Sequence, residues 1–287
     1  MIEQALYKHL QEQEVLRPYL ATYSDKMAIF NQEAPADSDP FWGDGPQYGR
    51  IVFTVDLQGD PERTMGGILT VDILCKQGEQ FPEEIEPILR PLIHGYFFCR
   101  KKFVAAAQWK NTSPFTETDP TVIGCSVTFD LLAFPTITTS TPDVIERLNE
   151  WTAQVPGVHV INYAPLPTQA WKPTRRETAV YWRLVSEAPA GWIPDTYQTI
   201  WRTATVKCHI FAEDIAKATT IGRALVTHLY AAKRLLKDGE APIMVNRRNT
   251  LDSGADPLRS GQLTVEATFG VIVYKSTSDT LQNIKYD

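Results

Sequence analysis

Basic residues are the scarcer charge in this chain: 28 Lys and Arg stand against 34 Asp and Glu, a net charge of −6 over 287 residues. A protein that grips nucleic acid by neutralising phosphates needs the reverse balance, clustered on one face. That class is disfavoured, although a protein that lets DNA slide past without holding it stays compatible. Cysteine is sparse too. The four, Cys75, Cys99, Cys125 and Cys208, never stand at C-x-x-C spacing, and three fall in strand-like runs. Buried, reduced thiols are favoured over disulfides or a metal site. No apolar run approaches the roughly 20 residues that cross a bilayer as a helix. The opening Met1-Ile2-Glu3-Gln4 has neither the basic nor the apolar stretch of a secretory signal. Synthesis and folding in the cytosol are expected, with no membrane partner.

Signatures of chemistry are missing in the same way. None of His9, His94, His159, His209 and His228 forms H-E-x-x-H or has a close Asp or Cys partner. His94 and His228 fall at nearly the same point of two matching helices, where a structural part is favoured for both. Gly66-Gly67 precedes a strand and lacks the Lys and Ser/Thr of a phosphate loop, so a bulge or edge glycine is expected. Glu83, Glu84 and Glu86 read better as a solvated first helical turn than as paired carboxylates for acid–base work. No catalytic residue, metal or cofactor is implied.

What is present is a repeat. Leu69-Thr70-Val71-Asp72-Ile73-Leu74-Cys75 and Ala204-Thr205-Val206-Lys207-Cys208-His209-Ile210 read as matching strands at an offset of 135. In both, the apolar residues keep period two, as a strand with one buried face requires. Helical segments follow each strand, with Arg90-Pro91-Leu92 against Arg223-Ala224-Leu225 at an offset of 133. Downstream, Cys125 to Phe134 matches Val265 to Tyr274 at an offset of 140. Three blocks in one order favour a duplication over two unrelated domains with generic strand patterns. The length suits two domains of about 140 residues, each large enough for its own core. The division is expected at 1–135 and 142–275, with 276–287 as a frayed tail.

Taken in order, Ile2–Leu16 is an amphipathic helix with Ile2, Ala5, Leu6, His9 and Leu10 on one face. A first strand centres on Met27–Phe30, and 31–49 is a turn-rich loop. Arg50–Leu57 and Met65–Cys75 form an antiparallel hairpin. Pro82–Phe98 is helical but kinked or late-starting, because Pro87 and Pro91 each remove a donor. Phe103–Trp109 and Val122–Phe134 are two more strands, with a turn-rich 111–120 between them. In the second half Thr141 caps a helix whose buried face is Val144, Ile145, Leu148 and Trp151. His159–Tyr163 is a strand, 164–176 a loop, and Thr178–Ser186 with Gln198–Phe211 the second hairpin. Glu213–Leu235 is a helix with Ile215, Ala218, Ile221, Leu225 and Leu229 on one stripe. Met244–Asn246 and Leu263–Tyr274 close the half. Each half is α+β, a mostly antiparallel sheet with helices packed on one face, and the fold class is two such similar domains in tandem.

Surface candidates come from the loops. Phe41-Trp42 and Trp192 lie in Gly/Pro-rich connections. Loop aromatics either fold back on the core or stand out as interface anchors. Arg247, Arg248 and Arg259 sit in the polar stretch 247–261, and Arg175-Arg176 is a second basic pair. The interface set is Trp42, Trp192, Arg247, Arg248 and Arg259.

In its element order each half resembles the tail terminator (tail completion) proteins of long-tailed phages and phage-like particles. That order is an N-terminal amphipathic helix, a hairpin with a long connection, a helix across the sheet and a closing pair, with alternating runs at Ser126–Phe134 and Glu266–Tyr274. The match lies at the level of topology, with no diagnostic short motif. The resemblance implies a structural virion protein that caps the tail tube, stops its growth and meets the head connector or neck protein. It implies a ring of copies and DNA passing through the lumen without specific binding. Duplication departs from the single-domain subunits of that family. It leaves two options, three chains in a pseudo-sixfold ring or six chains with the extra domain outside. A rival is a duplicated α+β small-molecule-binding module or enzyme, with a pocket between its halves. Another tail or baseplate subunit is a third.

Overall fold

The structure, a computed structural model, describes residues 2–60, 64–100, 103–135, 142–196, 198–237 and 241–272. The expected cap Thr141 and the expected tail 276–287 lie outside the described residues. The first half runs α1 (Ile2–Gln11), a 3-10 turn (Glu14–Tyr19), β1 (Thr22–Tyr23), β2 (Lys26–Met27), β3 (Ile29–Asn31) and a 3-10 turn (Pro40–Trp42). It continues with β4 (Arg50–Asp60), β5 (Thr64–Lys76), α2 (Pro82–Leu89), a 3-10 turn (Arg90–Leu92), β6 (Phe97–Arg100), β7 (Phe103–Thr116) and β8 (Val122–Ala133). The second half has α3 (Val144–Thr152), β9 (Val158–Val160), β10 (Ala170–Trp171), β11 (Thr178–Pro189) and β12 (Thr199–Phe211). It ends with α4 (Ile215–Ala232), β13 (Arg234–Leu235), β14 (Ile243–Val245), β15 (Thr250–Leu251) and β16 (Leu263–Ile272).

Two sheets carry the fold, ordered β10-β6-β7-β8-β5-β4-β3 and β13-β14-β16-β12-β11-β9, with β15 alongside β16. In each, a short first strand lies parallel to the first arm of the hairpin, β3 on β4 and β9 on β11, and the remaining pairs are antiparallel. The chain is therefore α+β, with two similar sheets in tandem. One compact unit takes residues up to Pro135 together with Pro165–Lys172; the other takes the described remainder. β10 thus completes the first unit's sheet, although it lies within the second half of the chain.

Parity explains the cores. Leu69, Val71, Ile73 and Cys75 of β5 are all buried, and so are Ala204, Val206, Cys208 and Ile210 of β12. Their partners Val127 and Phe129 on β8, and Leu263, Val265 and Ala267 on β16, are fully buried as well. In α1 the buried residues are Ile2, Ala5, Leu6, His9 and Leu10, the face that its 3.6-residue period defines. Its counterpart α3 is tied to the second sheet through a buried relay. The Trp182 indole donates to the Thr152 hydroxyl at 2.9 Å, which donates to the Leu148 carbonyl at 2.6 Å.

Parity does not resolve register, and the structure corrects it. Ile73 opposes Cys125 in the first sheet, whereas Cys208 opposes Leu263 in the second. Offsets of 135 and 140 would set Cys208 against Val265. The true ladder is two residues away on the same face, a slip that leaves every apolar side chain pointing inward.

Other departures have local causes. α1 stops at Gln11 rather than near Leu16, since the Gln13 side chain takes the His9 carbonyl at 3.0 Å and the chain tightens into a 3-10 turn. α2 begins at Pro82 and gives way at Arg90, where Pro91 cannot continue the α-helical bonding. The expected helix through Phe98 is instead a turn followed by β6. β7 runs through the expected loop as far as Thr116, including Pro114, after a bulge between Trp109 and Asn111. That is allowed because β6 pairs only with residues 103–106 of β7, so the Pro114 side of the strand has no ladder to lose. α3 is capped by Asp143, whose carboxylate accepts from the Ile145 and Glu146 amides at 2.9 and 3.1 Å. Ile215 of the expected α4 stripe is 71% exposed, and the buried face is Gly222, Leu225 and Leu229. Gly67 lies within β5 opposite Leu57, where a Cβ would run into the Asp56 carbonyl.

Candidate functional site

The five surface candidates part company. Trp42 is only 4% exposed. It packs against Tyr23 at 4.9 Å and Phe30 at 5.7 Å, and its indole N–H donates to the Ala36 carbonyl at 3.0 Å. It is the core of its own loop and is withdrawn as an outward anchor. The reason is the local 3-10 turn: Asp39 caps it by accepting from the Phe41 amide at 2.9 Å, and this turns Trp42 inward and Phe41 outward, 64% exposed. Trp192 is 65% exposed in the connection between β11 and β12. Ile272, at the end of β16 opposite Thr199, is 60% exposed at the same end of the sheet.

Arg247, Arg248 and Arg259 are exposed, and no ion pair holds them among the described residues. The Tyr230 hydroxyl donates to the Arg247 carbonyl at 2.7 Å and ties their segment to α4. β15, between the two arginine positions, pairs with Thr264 at the start of β16. Trp192 belongs to the opposite end, about 26 Å away along an extended strand. The structure therefore makes two separate surfaces of the second unit, one aromatic and one basic.

Charge divides between the units in a way that local motifs conceal. Residues 1–135 and 165–172 contain 12 Lys and Arg against 19 Asp and Glu, net −7. The rest of the chain contains 16 against 15, net +1. One topology is thus dressed with two unlike surfaces.

The first sheet also carries a polar cleft of about 430 Å³ on the face opposite its helices, lined by Gln32, Glu33, Arg50, Asp72, Glu117 and Ser126. The Ser126 hydroxyl donates to the Asp72 carboxylate. Burial pushes the Asp72 carboxyl above the usual carboxylate range and Glu117 adds to the rise, while the Ser126 bond opposes it. Arg50 pairs with Asp37 at 2.8 Å and lies over the Tyr48 ring at 4.5 Å.

The remaining reactive side chains are built into the fold. All four thiols are free, and burial pushes Cys75, Cys99 and Cys125 up to about 12. A thiol held that high is a poor nucleophile at neutral pH. His9 bonds the Leu92 carbonyl at 2.8 Å, and His209 bonds the Pro257 carbonyl at 2.8 Å through Nδ1. His94 lies in a turn before Gly95 and accepts the Trp109 amide at 3.1 Å, so it does not match His228 within α4. Among the described residues no group of three or more His, Cys, Asp or Glu is placed to hold a metal ion, and no helix is long and apolar enough to cross a membrane. Compared with protein-family models, curated proteins and solved structures, the chain matches none.

Proposed function

We propose that this chain is a structural subunit of the tail terminator (tail completion) kind. It assembles head to tail into a ring that caps a tail tube and offers a surface to a head connector. The observation that carries this reading is one α+β topology occurring twice with unlike surfaces, net −7 and net +1. Two acidic units repel each other, whereas an acidic unit meets a neutral-to-basic one without that cost. Unlike units favour heterologous contacts, and heterologous contacts that close make rings. Three chains then give a pseudo-sixfold ring, and six chains place the second unit outside. The excess of acid in one unit suits a lumen through which DNA passes unheld. The role is architectural, in the tail or neck of a particle, with the tube and neck proteins as neighbours.

Native mass spectrometry of the purified chain over a range of concentrations tests the reading. A closed trimer or hexamer is expected, and its stoichiometry chooses between the two rings. A monomer at every concentration counts against it. The rival ligand-binding reading has one observation in its favour, the cleft around Asp72, Ser126 and Arg50. A thermal-shift screen of small polar metabolites that raises the melting temperature of a strict monomer, and loses the shift in Asp72→Asn, selects that rival instead.

A further inference from the structure

The two sheets finish corresponding edges differently. In the first, the outer strand β6 is covered: β10 lies antiparallel on it, with Ala170 opposite Phe98 and Trp171 opposite Phe97. The Cys99 amide donates to the Gln169 carbonyl at 2.7 Å, and the buried Trp171 ring sits 5.7 Å from Phe97. β10 comes from the connection between β9 and β11, residues 161–177. In the second sheet the corresponding outer strand is β13, and no strand lies beyond it among the described residues. The repeat contains a second connection of the same kind, residues 32–49 between β3 and β4. Counted along the chain from Ile29 of β3 and from Val158 of β9, Phe41-Trp42 falls at the same sequence position in its connection as Ala170-Trp171 does, at an offset of 129. One connection of the pair is used as an edge strand and one is not; one edge is covered and one is bare.

We propose that the bare edge β13 of one copy receives the 32–49 connection of a second copy, whose preformed turn covers that edge as β10 covers β6. The chemistry of the two segments is complementary. Residues 32–49 include Glu33, Asp37, Asp39 and Asp44 and no Lys or Arg. Lys233, Arg234 and Lys237 surround β13 with no acid between them. Glu146 holds Lys237 at 3.3 Å, which leaves Lys233 and Arg234 to face Glu33 and Asp44. Each segment carries an apolar side chain that its own chain leaves uncovered, Phe41 at 64% and Leu236 at 73% exposure. The connection is also shaped in advance. Asp37 accepts from Tyr48 and Arg50, both at 2.8 Å, and Trp42 holds Ala36, so little order is lost on docking. An uncovered sheet edge is a ready docking surface, and the charges and apolar side chains of the two segments set the specificity. Donor and acceptor lie in different units, so the contact runs head to tail and can close into a ring.

This inference rests on the self-assembly reading above and names its contact. Cysteine cross-linking tests it, because desolvation keeps all four native thiols protonated near neutral pH. Phe41→Cys and Leu236→Cys proteins are mixed under mild oxidation at pH 7.5. Disulfide-linked pairs joining one of each are expected in at least tenfold excess over what either variant forms alone, and the double variant gives a ladder of multimers. Arg234→Glu lowers self-association about tenfold or more with its thermal unfolding unchanged, because it sets like charges against each other at the contact. Oligomers in native mass spectrometry without the mixed cross-link overturn this contact and leave self-assembly standing. A monomer at every concentration, with no cross-link, removes both.

Discussion

The two halves of this molecule share an arrangement and differ in nearly everything that faces outward. Both place a short parallel strand beside a hairpin, a helix across the sheet and a closing strand. Yet α2 has eight residues and α4 has 18, and β7 has 14 residues where its counterpart β14 has three. Net charge falls from +1 in one unit to −7 in the other. What stays fixed is the inward phase of the long strands, with Val71 and Val206, Phe129 and Phe269 all at 0% exposure. The lesson is that inward parity suffices to keep the topology, while edges, caps and charges drift toward separate uses.

The strongest way to break the comparison is through that shared phase. Phe129→Ala and Phe269→Ala each open a cavity in a fully buried site and should cost about 3–5 kcal/mol. Differential scanning calorimetry should show two transitions, with each substitution lowering only its own. If either substitution moved both transitions equally, the halves would form one cooperative block. The repeat would then be a resemblance of topology without independence of folding.

The same contrast explains what the sequence made legible. Period-two runs on β5, β8, β12 and β16 and the apolar face of α1 were readable because burial on one face leaves an unambiguous mark. Long-range consequences were not. β10 is two residues long inside a loop-like stretch, and nothing local says that it pairs with β6. The second half of β7 carries Asn111, Ser113 and Pro114, turn formers that an unpaired flank tolerates. Arg147 gives no sign in the sequence of being buried, yet its side chain is 1% exposed beside Glu150 at 3.2 Å. Of the surface set, Trp192 and the three arginines were legible as loop residues. Trp42 was not, because its burial depends on Tyr23 and Phe30 across the loop. Phe41 was legible as half of an apolar loop pair but not as its outward member, and Leu236 went unmarked, since a single exposed apolar residue has no pattern.

A weaker contrast is acid sensitivity. His9 occupies the third helical turn of α1, where α3 carries Trp151 on the same face. Burial holds His9 below its ordinary value of 6.5, and the Leu92 and Glu12 contacts only partly offset it. His94 is also held low, by burial and then by the Lys172 and Arg90 cations. With folded values below unfolded ones, the unfolded chain binds more protons as pH drops. The stability that these neutral rings contribute is complete above about 6.5 and is lost as pH falls through their folded values. The first unit's transition should therefore fall between pH 7 and pH 5, by less than the loss in Phe129→Ala. His9→Gln should flatten that slope and leave the slope of the other transition alone. An unchanged slope in both transitions would place the responsible groups elsewhere.

The smallest expected difference lies at the helix starts. α4 is capped by Asp214, whose carboxylate accepts the Lys217 amide at 2.7 Å, whereas Phe81 precedes α2 with no side-chain bond. Asp214→Ala should cost about 1 kcal/mol, the ordinary value of a lost cap. Phe81 already has the extended backbone of a cap residue, at φ −118° and ψ 135°, so Phe81→Asp needs no rearrangement to supply the missing acceptor. Its gain should nevertheless be smaller than the Asp214 loss. Glu83 and Glu84 already crowd the first turn with negative charge, and a third carboxylate meets their repulsion as well as the helix dipole. Raising the salt concentration screens that repulsion and should bring the gain closer to the loss. If Phe81→Asp instead destabilised the first unit in high salt, the half-exposed Phe81 ring would be supporting that unit through packing, and the difference between the two helix starts would be one of packing as well as capping.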